Sequence, residues 1–466
     1  MSSKTLSQFL EAYPDYKETA EIDQLRKRDY QILDSDGHIY LDYTGGGLYA
    51  SSQLKKHHDL LKKNVFGNPH SYNPTSHHAT QLVESARQFV LEYFNASPDE
   101  YVCIFTQNAS GALKIVGESY PFGDGCRYVL IFDNHNSVNG IREYANAKGA
   151  DVHYIPVVLP DLRVDEAALF EELSSMDRGC FNLFAFPAQS NFSGVQHPLE
   201  WIKKTQALGW DVILDAAAYT PTNTLDLSKW KPNFVPLSFY KMFGYPTGVG
   251  ALLARKDTIS KLHRSWFAGG TTTVTSVRGE KYYPADAPAC FEDGTVDFLN
   301  IPAVEIGLRH LKSIGMNRIH TRVVSLAGWL LQELTALKHT NGTPLVKIYG
   351  PLTTETRGGT ITLNFMDPDG NLIRKDLLEE KANRHNISIR MGFFCNPGAG
   401  EIALDISTDE LASCFSRPLY SDRLTDLDFQ QCIDPKATGA VRVSVGLVSN
   451  FADVQAFINF AKSFQN

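Results

Sequence analysis

The sequence holds no Cys-x-x-Cys pair. Its seven cysteines, Cys103, Cys126, Cys180, Cys290, Cys395, Cys414 and Cys432, are widely scattered. An odd, scattered set argues against a disulfide framework and against a cysteine-rich zinc site, and it suits a reducing compartment. No metal site is read. Long apolar runs are missing too: no stretch approaches the ~20 apolar residues that a membrane-spanning helix needs. The opening MSSKTLSQFLEAYPDYKETA lacks the basic start and apolar run of a secretion signal, and the closing AKSFQN is neither a prenylation nor a peroxisomal signal. A soluble, cytoplasmic protein is expected. An excess of positive charge is likewise absent. Lys+Arg 44 against Asp+Glu 52 leaves a net charge of −8, so the basic footprint of a nucleic-acid binder is not there. Neither internal repeats nor low-complexity tracts occur. What is present is ordinary globular usage, 43% hydrophobic and 21% charged over 466 residues, enough to bury a large core in two or three domains.

Short apolar runs alternate with helical patterns through the middle of the chain. The runs Tyr101–Thr106, Tyr128–Asp133, Asp151–Val157, Phe181–Phe186, Trp210–Asp215 and Phe234–Phe239 are rich in Val, Ile, Phe and Tyr and are bounded by turn residues. Several show no two-residue alternation, as strands buried on both faces do not. Helical spacing falls between them, over Ala109–Ser119, Ser137–Lys148, Val164–Leu173 and Pro198–Leu208. The alternation predicts an α/β fold with a mostly parallel sheet covered by helices. Beyond Asn300 the character changes. A helix over Ile301–Leu337, breaking at Gly315, leads to Thr360–Phe365 and Ala440–Val445, whose period-two pattern predicts a half-exposed sheet in a smaller α+β domain. A last helix covers Phe451–Phe464. The expected division is residues 1–30 packing on the small domain, 31–305 as the large domain and 306–466 as the small one.

Ligands of open parallel sheets sit beyond the carboxyl ends of the strands. That singles out Gln107–Gly111, Asn134–His135, Gln189–Asn191, Asp215 and Ser238–Lys241. Lys241 lies between an apolar strand and the glycine-rich GYPTGVGALLA. A lysine held there is a candidate for a depressed pKa and for Schiff-base formation with a carbonyl cofactor. Asp215 ends the apolar run WDVIL and needs a partner for its charge. A helix cap or ion pair would supply one, and so would a protonated pyridine nitrogen. The loop Thr106–Gly111 joins a strand to a helix, where free N–H groups and a hydroxyl bind phosphate. Cys103 reads as a buried, inert thiol. Cys395, between Phe394 and Asn396-Pro397-Gly398, sits in a glycine- and proline-marked loop able to move, as a reactive cysteine requires.

The order of these segments resembles the class V aminotransferase family, fold type I of the pyridoxal-phosphate enzymes. More narrowly it is similar to the N-terminal, cysteine-desulfurase-like domain of the molybdenum cofactor sulfurases. The resemblance is carried by YLDYTGGGLY (40–49), GNPHS (67–71), DNHNSV (133–138), FPAQSNFSG (186–194), DVILDAAAY (211–219), SFYKMFGYPTGVGALL (238–253), FAGGT (267–271), FEDGT (291–295), IRMGFFCNPGA (389–399) and VRVSVG (441–446). It implies a large domain with a seven-stranded sheet, pyridoxal 5'-phosphate as cofactor, and a homodimer. It implies Lys241 as the Schiff-base lysine, Asp215 on the pyridine nitrogen and His135 stacked on the ring. Asn191 would bond the phenolic oxygen and approach the substrate carboxylate. Ala109, Ser110, Ser238 and Tyr240 would hold the phosphate, with Thr295 or a threonine of 271–273 reaching that of a neighbouring subunit. Arg442 would clamp the substrate carboxylate and Cys395 would be the nucleophile.

Three departures from the family pattern are visible. Positions that carry further cysteines in molybdenum cofactor sulfurases are Phe393 and Gly400 here. The polar residue expected after Asp-Ala-Ala is Ala218. The second domain, which handles the molybdenum cofactor, has no counterpart in these 466 residues, so a separate sulfur acceptor is the expected partner. The reading is a pyridoxal-phosphate-dependent L-cysteine desulfurase that releases alanine and leaves a persulfide on Cys395. The alternatives are a lyase, aminotransferase or carbon–nitrogen bond-forming enzyme acting on another amino acid, and a catalytically silent, partner-binding subunit.

Overall fold

The computed structural model describes residues 3–175, 179–416, 426–433 and 439–466. Seven strands form the central sheet, in the spatial order 101–106, 250–255, 234–238, 211–215, 183–187, 127–131, 151–155. The five from 234–238 to 151–155 run parallel to their neighbours. Strand 250–255 is antiparallel to both strands beside it. Alternate residues of each strand enter different cores: Phe184, Phe186, Val212 and Leu214 face one cluster, while Leu183, Ala185, Ile213 and Phe234 face the other. Both faces are dry along the inner strands, which is why those read as continuous apolar runs, whereas the edge strand 151–155 is exposed at Asp151 and partly exposed through Tyr154.

The structure departs from the sequence-based expectations at four places. Strand Gly250–Arg255 was not anticipated, because its glycines resemble a connection. Gly250 is small because a Cβ there would lie 2.5 Å from the Leu237 carbonyl oxygen and 2.6 Å from Asn108 Cα. The helix expected over 137–148 is two short ones, Asn136–Asn139 and Ile141–Ala147, parted at Gly140. The helices Ser51–Lys63 and Pro74–Tyr93 were also unforeseen. Finally, strands Thr360–Phe365 and Ala440–Ser444 are buried along their whole length rather than half-exposed. Their polar face is turned inward: Thr362 Oγ1 donates to the Phe192 carbonyl at 2.6 Å, and Thr360 Oγ1 bonds Thr44 Oγ1 at 2.6 Å. Alternation here reports a hydrogen-bonded inner face, not a wet one.

These two strands belong to a second, antiparallel sheet in the order 346–349, 360–365, 440–444, 390–392. Helices Ile301–Ile314 and Met316–Thr335 meet at Gly315, whose φ of 91° ends the first helix. Near the N-terminus, Phe9 is fully buried against Tyr16, Trp329 and Phe451. Arg26 pairs with Asp34 and Asp453, and Arg322 with Asp23. A disulfide joins Cys414 to Cys432, on the short helices 408–415 and 426–433. It is one bond between neighbouring helices and not a framework. Among the described residues no helix is long and apolar enough to cross a membrane, and no cluster of His, Cys, Asp and Glu could hold a metal.

Candidate active site

Four strand ends deliver the site. Strand 127–131 leads to His135, 183–187 to Asn191, 211–215 to Asp215, and 234–238 to the one-turn helix Phe239–Phe243 that carries Lys241. His135, Asn191, Asp215 and Lys241 line one narrow cleft together with Gln189, Ala217 and Ala218. The N-terminal TGGGL stretch backs it. Gly47 N–H donates to the Tyr240 carbonyl at 3.0 Å, and a Cβ on Gly47 would come within 2.9 Å of the Lys241 carbonyl. Only glycine lets that backbone lie so close.

Burial sets the electrostatics. The Lys241 ammonium is pushed below its ordinary pKa, first by desolvation and then by Arg442, while Asp215 opposes both. That favours the neutral amine, the form able to attack a carbonyl. His135 is also pushed down by burial, and next by the Lys241 charge. Its Nδ1 accepts the Ser137 N–H at 3.1 Å, which assigns the ring proton to Nε2. Asp215 Oδ1 accepts the Ala217 N–H at 3.0 Å. Among the described residues the carboxylate has no cation within ion-pair distance, although it is buried. A buried carboxylate so placed calls for a proton or a cation from a ligand.

The helix Ala109–Ser119 points its N-terminus at the same region. Asn108 caps it by accepting the Gly111 N–H at 3.0 Å. Ser238 Oγ accepts the Ala109 N–H at 2.9 Å, so that hydroxyl ties the strand end to the helix. Ser110 Oγ bonds Ser137 Oγ at 2.6 Å, which links the helix start to His135. Tyr240 is half-buried, with its ring against Gly46. Thr295 lies elsewhere. It lines a separate cavity with Thr106, Gln107 and Gly248 and receives a hydrogen bond from Asn68 Nδ2 at 3.3 Å. The hydroxyl of Thr271 is spent on Ala268 within its own loop.

Arg442 is buried, its Nη1 donating to the Asn191 carbonyl at 3.1 Å and its Nη2 to Asp42 Oδ1 at 2.9 Å. Arg390, half-exposed, bonds the other Asp42 oxygen at 2.6 Å. Asp42 and Arg390 are functional candidates that the sequence reading did not single out; 348 and 400 residues separate Asp42 from its partners, and no local pattern shows the pairing. Arg442 Nε is buried without a partner among the described residues. Cys395 is exposed and lies close enough to Lys241, Tyr240 and Arg390 to act on each electrostatically. Its loop is not the free hinge that the glycines and proline suggested, because hydrogen bonds hold it at residues 394, 395 and 396. The Phe393 and Gly400 departures are one packed pair. A Cβ on Gly400 would lie 2.3 Å from the Phe393 ring, so the ring occupies the space of a side chain at 400.

A sequence model of the aminotransferase class-V family matches residues 39–457. The chain belongs to that family. It is a pyridoxal-phosphate-dependent enzyme of fold type I. Among curated proteins it is similar to molybdenum cofactor sulfurase of Arabidopsis thaliana, 36% identical over 96% of this chain and 58% of that protein. It is also similar to the Homo sapiens protein of that name, 36% identical over 94% of this chain and 50% of the relative. The chain thus spans between half and three-fifths of these relatives. Among solved structures it resembles an apo cysteine desulfurase from Thermococcus onnurineus NA1, with a TM-score of 0.77 and 22% identity over 95% of this chain and 97% of that one. A cysteine desulfurase from Escherichia coli superposes with a TM-score of 0.74 at 18% identity, covering 95% and 98% of the two chains. The class-V residues fit the cofactor. The buried Asp215 carboxylate, without an ion partner among the described residues, suits a protonated pyridine, Lys241 suits an aldehyde, and the Ser110 and Ser238 hydroxyls at the helix start suit a phosphate.

Proposed function

We propose that this chain is a pyridoxal-phosphate-dependent L-cysteine desulfurase which leaves a persulfide on Cys395 and releases alanine. The observation that carries the reading is an exposed cysteine, on a fastened loop, beside a lysine whose amine burial holds toward the neutral form. Its similarity to molybdenum cofactor sulfurases and to cysteine desulfurases supports it.

In this reading Lys241 would hold the cofactor's aldehyde through Nζ, and its amine, which burial holds toward the neutral form, would be the base for the substrate α-proton. Asp215 would face the ring nitrogen and favour its protonated form, and His135 and Asn191, which line the same cleft, would hold the ring and its phenolic oxygen. Ser110, Ser238 and Tyr240 would hold the phosphate at the helix start, with the Ala109 N–H, which donates to Ser238 Oγ, fixing that hydroxyl in place. Bound pyridoxal phosphate supplies the sink for the electron pair freed at the α-carbon. Arg442 receives the substrate carboxylate through its guanidinium fork. The Cys395 thiolate attacks the substrate sulfur, the carbon–sulfur bond breaks with its electron pair going to the β-carbon, and protonation of the β-carbon and return of a proton to the α-carbon give alanine. The sulfur on Cys395 then passes to a separate acceptor. Thr295, outside the cleft of its own chain, serves the phosphate of a second copy in a homodimer.

The test is incubation with L-cysteine, assaying alanine and protein-bound persulfide on wild type and Cys395→Ser. Loss of both products in the variant, with the cofactor's absorbance change on substrate binding retained, is the expected result. Alanine release unchanged by the substitution would remove Cys395 from the reaction. A wild type that releases none would favour a lyase, aminotransferase or carbon–nitrogen bond-forming enzyme on another amino acid.

A further inference from the structure

The loop bearing Cys395 is fastened at three successive residues. The Phe394 carbonyl accepts from Asn191 Nδ2 at 2.7 Å, and the Cys395 carbonyl accepts the Asn136 N–H at 2.7 Å. Asn396 Nδ2 donates to Asp133 Oδ1 at 2.7 Å and to Asn191 Oδ1 at 2.9 Å. Asp133 and Asn396 are both fully buried, at 0% exposure. Asp133 is itself held by Ser190 Oγ at 2.7 Å and His197 Nε2 at 3.1 Å. Phe394 and Cys395 adopt φ of 57° and 56°. Two consecutive non-glycine residues in the left-handed region persist only where the surroundings over-determine them. Here the surroundings are this amide–carboxylate latch. Neither Asp133 nor Asn396 lines the cleft, and the mechanism above gives neither a part.

We infer that Asp133 and Asn396 are positioning residues for the sulfur nucleophile, holding Cys395 in its strained turn beside the cleft, with Asn191 tying that latch to the cleft wall. The inference rests on the desulfurase reading for its chemistry and on the hydrogen bonds for its mechanics. A buried donor with two fixed acceptors leaves the turn one arrangement. Without it the left-handed pair can relax and carry the thiol away from a substrate sulfur held by Arg442 and the cofactor. A displacement of about 1 Å is enough to cost about 100-fold in rate.

The variants are Asn396→Ala and Asn396→Ser, made in the full chain loaded with cofactor. The serine keeps an oxygen for the Ala399 N–H that Asn396 now caps at 3.3 Å, so the helix Pro397–Ala403 keeps its start, yet serine has no amide to reach Asp133. Amide hydrogen exchange of the 389–400 peptide, without substrate, is expected to quicken about tenfold or more as the local opening becomes easier. The cofactor's absorbance change with L-cysteine is expected at concentrations within about threefold of wild type, while single-turnover persulfide formation falls about 100-fold. Unchanged exchange would overturn the latch. Faster exchange with persulfide formation preserved would overturn its role in positioning. Parallel loss of substrate binding and persulfide formation would reduce Asn396 to a fold residue and overturn the inference too. A wild type that forms no persulfide would instead sink the desulfurase reading, and the exchange data would still judge the latch by itself.

Discussion

At the scale of single residues, burial decides more than sequence proximity. Lys241 has no carboxylate within ion-pair distance among the described residues, and its ammonium is disfavoured by desolvation. Its removal therefore relieves a cost rather than breaking a pair. Lys241→Ala is expected to lose every borohydride-fixable cofactor linkage and all turnover, with a melting temperature no lower than that of the apo wild type. Retention of a fixable linkage would refute the assignment. His310 illustrates the same physics away from the site. Its ring bonds Tyr30 Oη at 3.1 Å, and burial lowers its pKa to about 4. The folded value lies below the ordinary one, so the unfolded chain takes the proton first. This contribution is whole above about pH 6.5 and is lost as pH falls toward 4, up to about 3 kcal/mol. His310→Gln should flatten urea-unfolding stability across that window, and an unchanged slope would assign the pH dependence to other groups. The meeting of Lys241, Asp215, His135 and Asn191 was legible in the sequence because each ends or follows its own apolar strand, and parallel topology brings such ends together. The Asp42–Arg442–Arg390 cluster and the Asp133–Asn396 bond were not legible, since hundreds of residues separate the partners and only the closed fold joins them.

Elements show where pattern reading succeeds and where it misleads. The strands beside the site were readable because they are dry on both faces. Strand 250–255 was not, because Gly250 serves close backbone approach and so looks like a connection. Strand 360–365 alternates for a reason that hydropathy does not carry, its threonines bonding inward to Phe192 and Thr44. Helix 301–314 adds a further kind of information, since it props the turn that holds Lys241. A Cβ on Gly307 would lie 2.1 Å from the Phe243 ring, and Phe243 closes the helix Phe239–Phe243. A buried aromatic ring cannot step aside freely in a packed core, and overpacking of this kind costs about 1–3 kcal/mol. Gly307→Ala should lower stability by that amount and shift the cofactor's absorbance band, because the displaced ring moves the Lys241 turn. A stability loss without any spectral change would show that helix and site are mechanically independent.

At the scale of the whole molecule, one feature gathers several exposed apolar side chains. The hairpin formed by Thr272–Ser276 and Lys281–Pro284 pairs with no other strand among the described residues. A lone two-stranded hairpin is marginal in water unless something covers it. Yet Val274 is 57% exposed, Val277 91% and Tyr283 65%, with Trp266 and Phe267 half-exposed beside them. Apolar side chains gathered in this way mark an interaction surface. The occupant that fits the proposed homodimer is a second copy of this chain. The cavity lined by Thr295 and the region of the hairpin would then be shared between subunits instead of facing water. Val277→Lys combined with Tyr283→Glu places two charges on the patch while touching no residue of the cleft. Sedimentation equilibrium is expected to show a dimer for wild type and a weakened or monomeric species for the double variant. Cofactor retention should fall with dissociation, since Thr295 would no longer reach the phosphate of the partner. A variant that stays dimeric would move the interface off this hairpin. A monomer that keeps its cofactor as firmly as wild type would show that each cleft is complete within one chain.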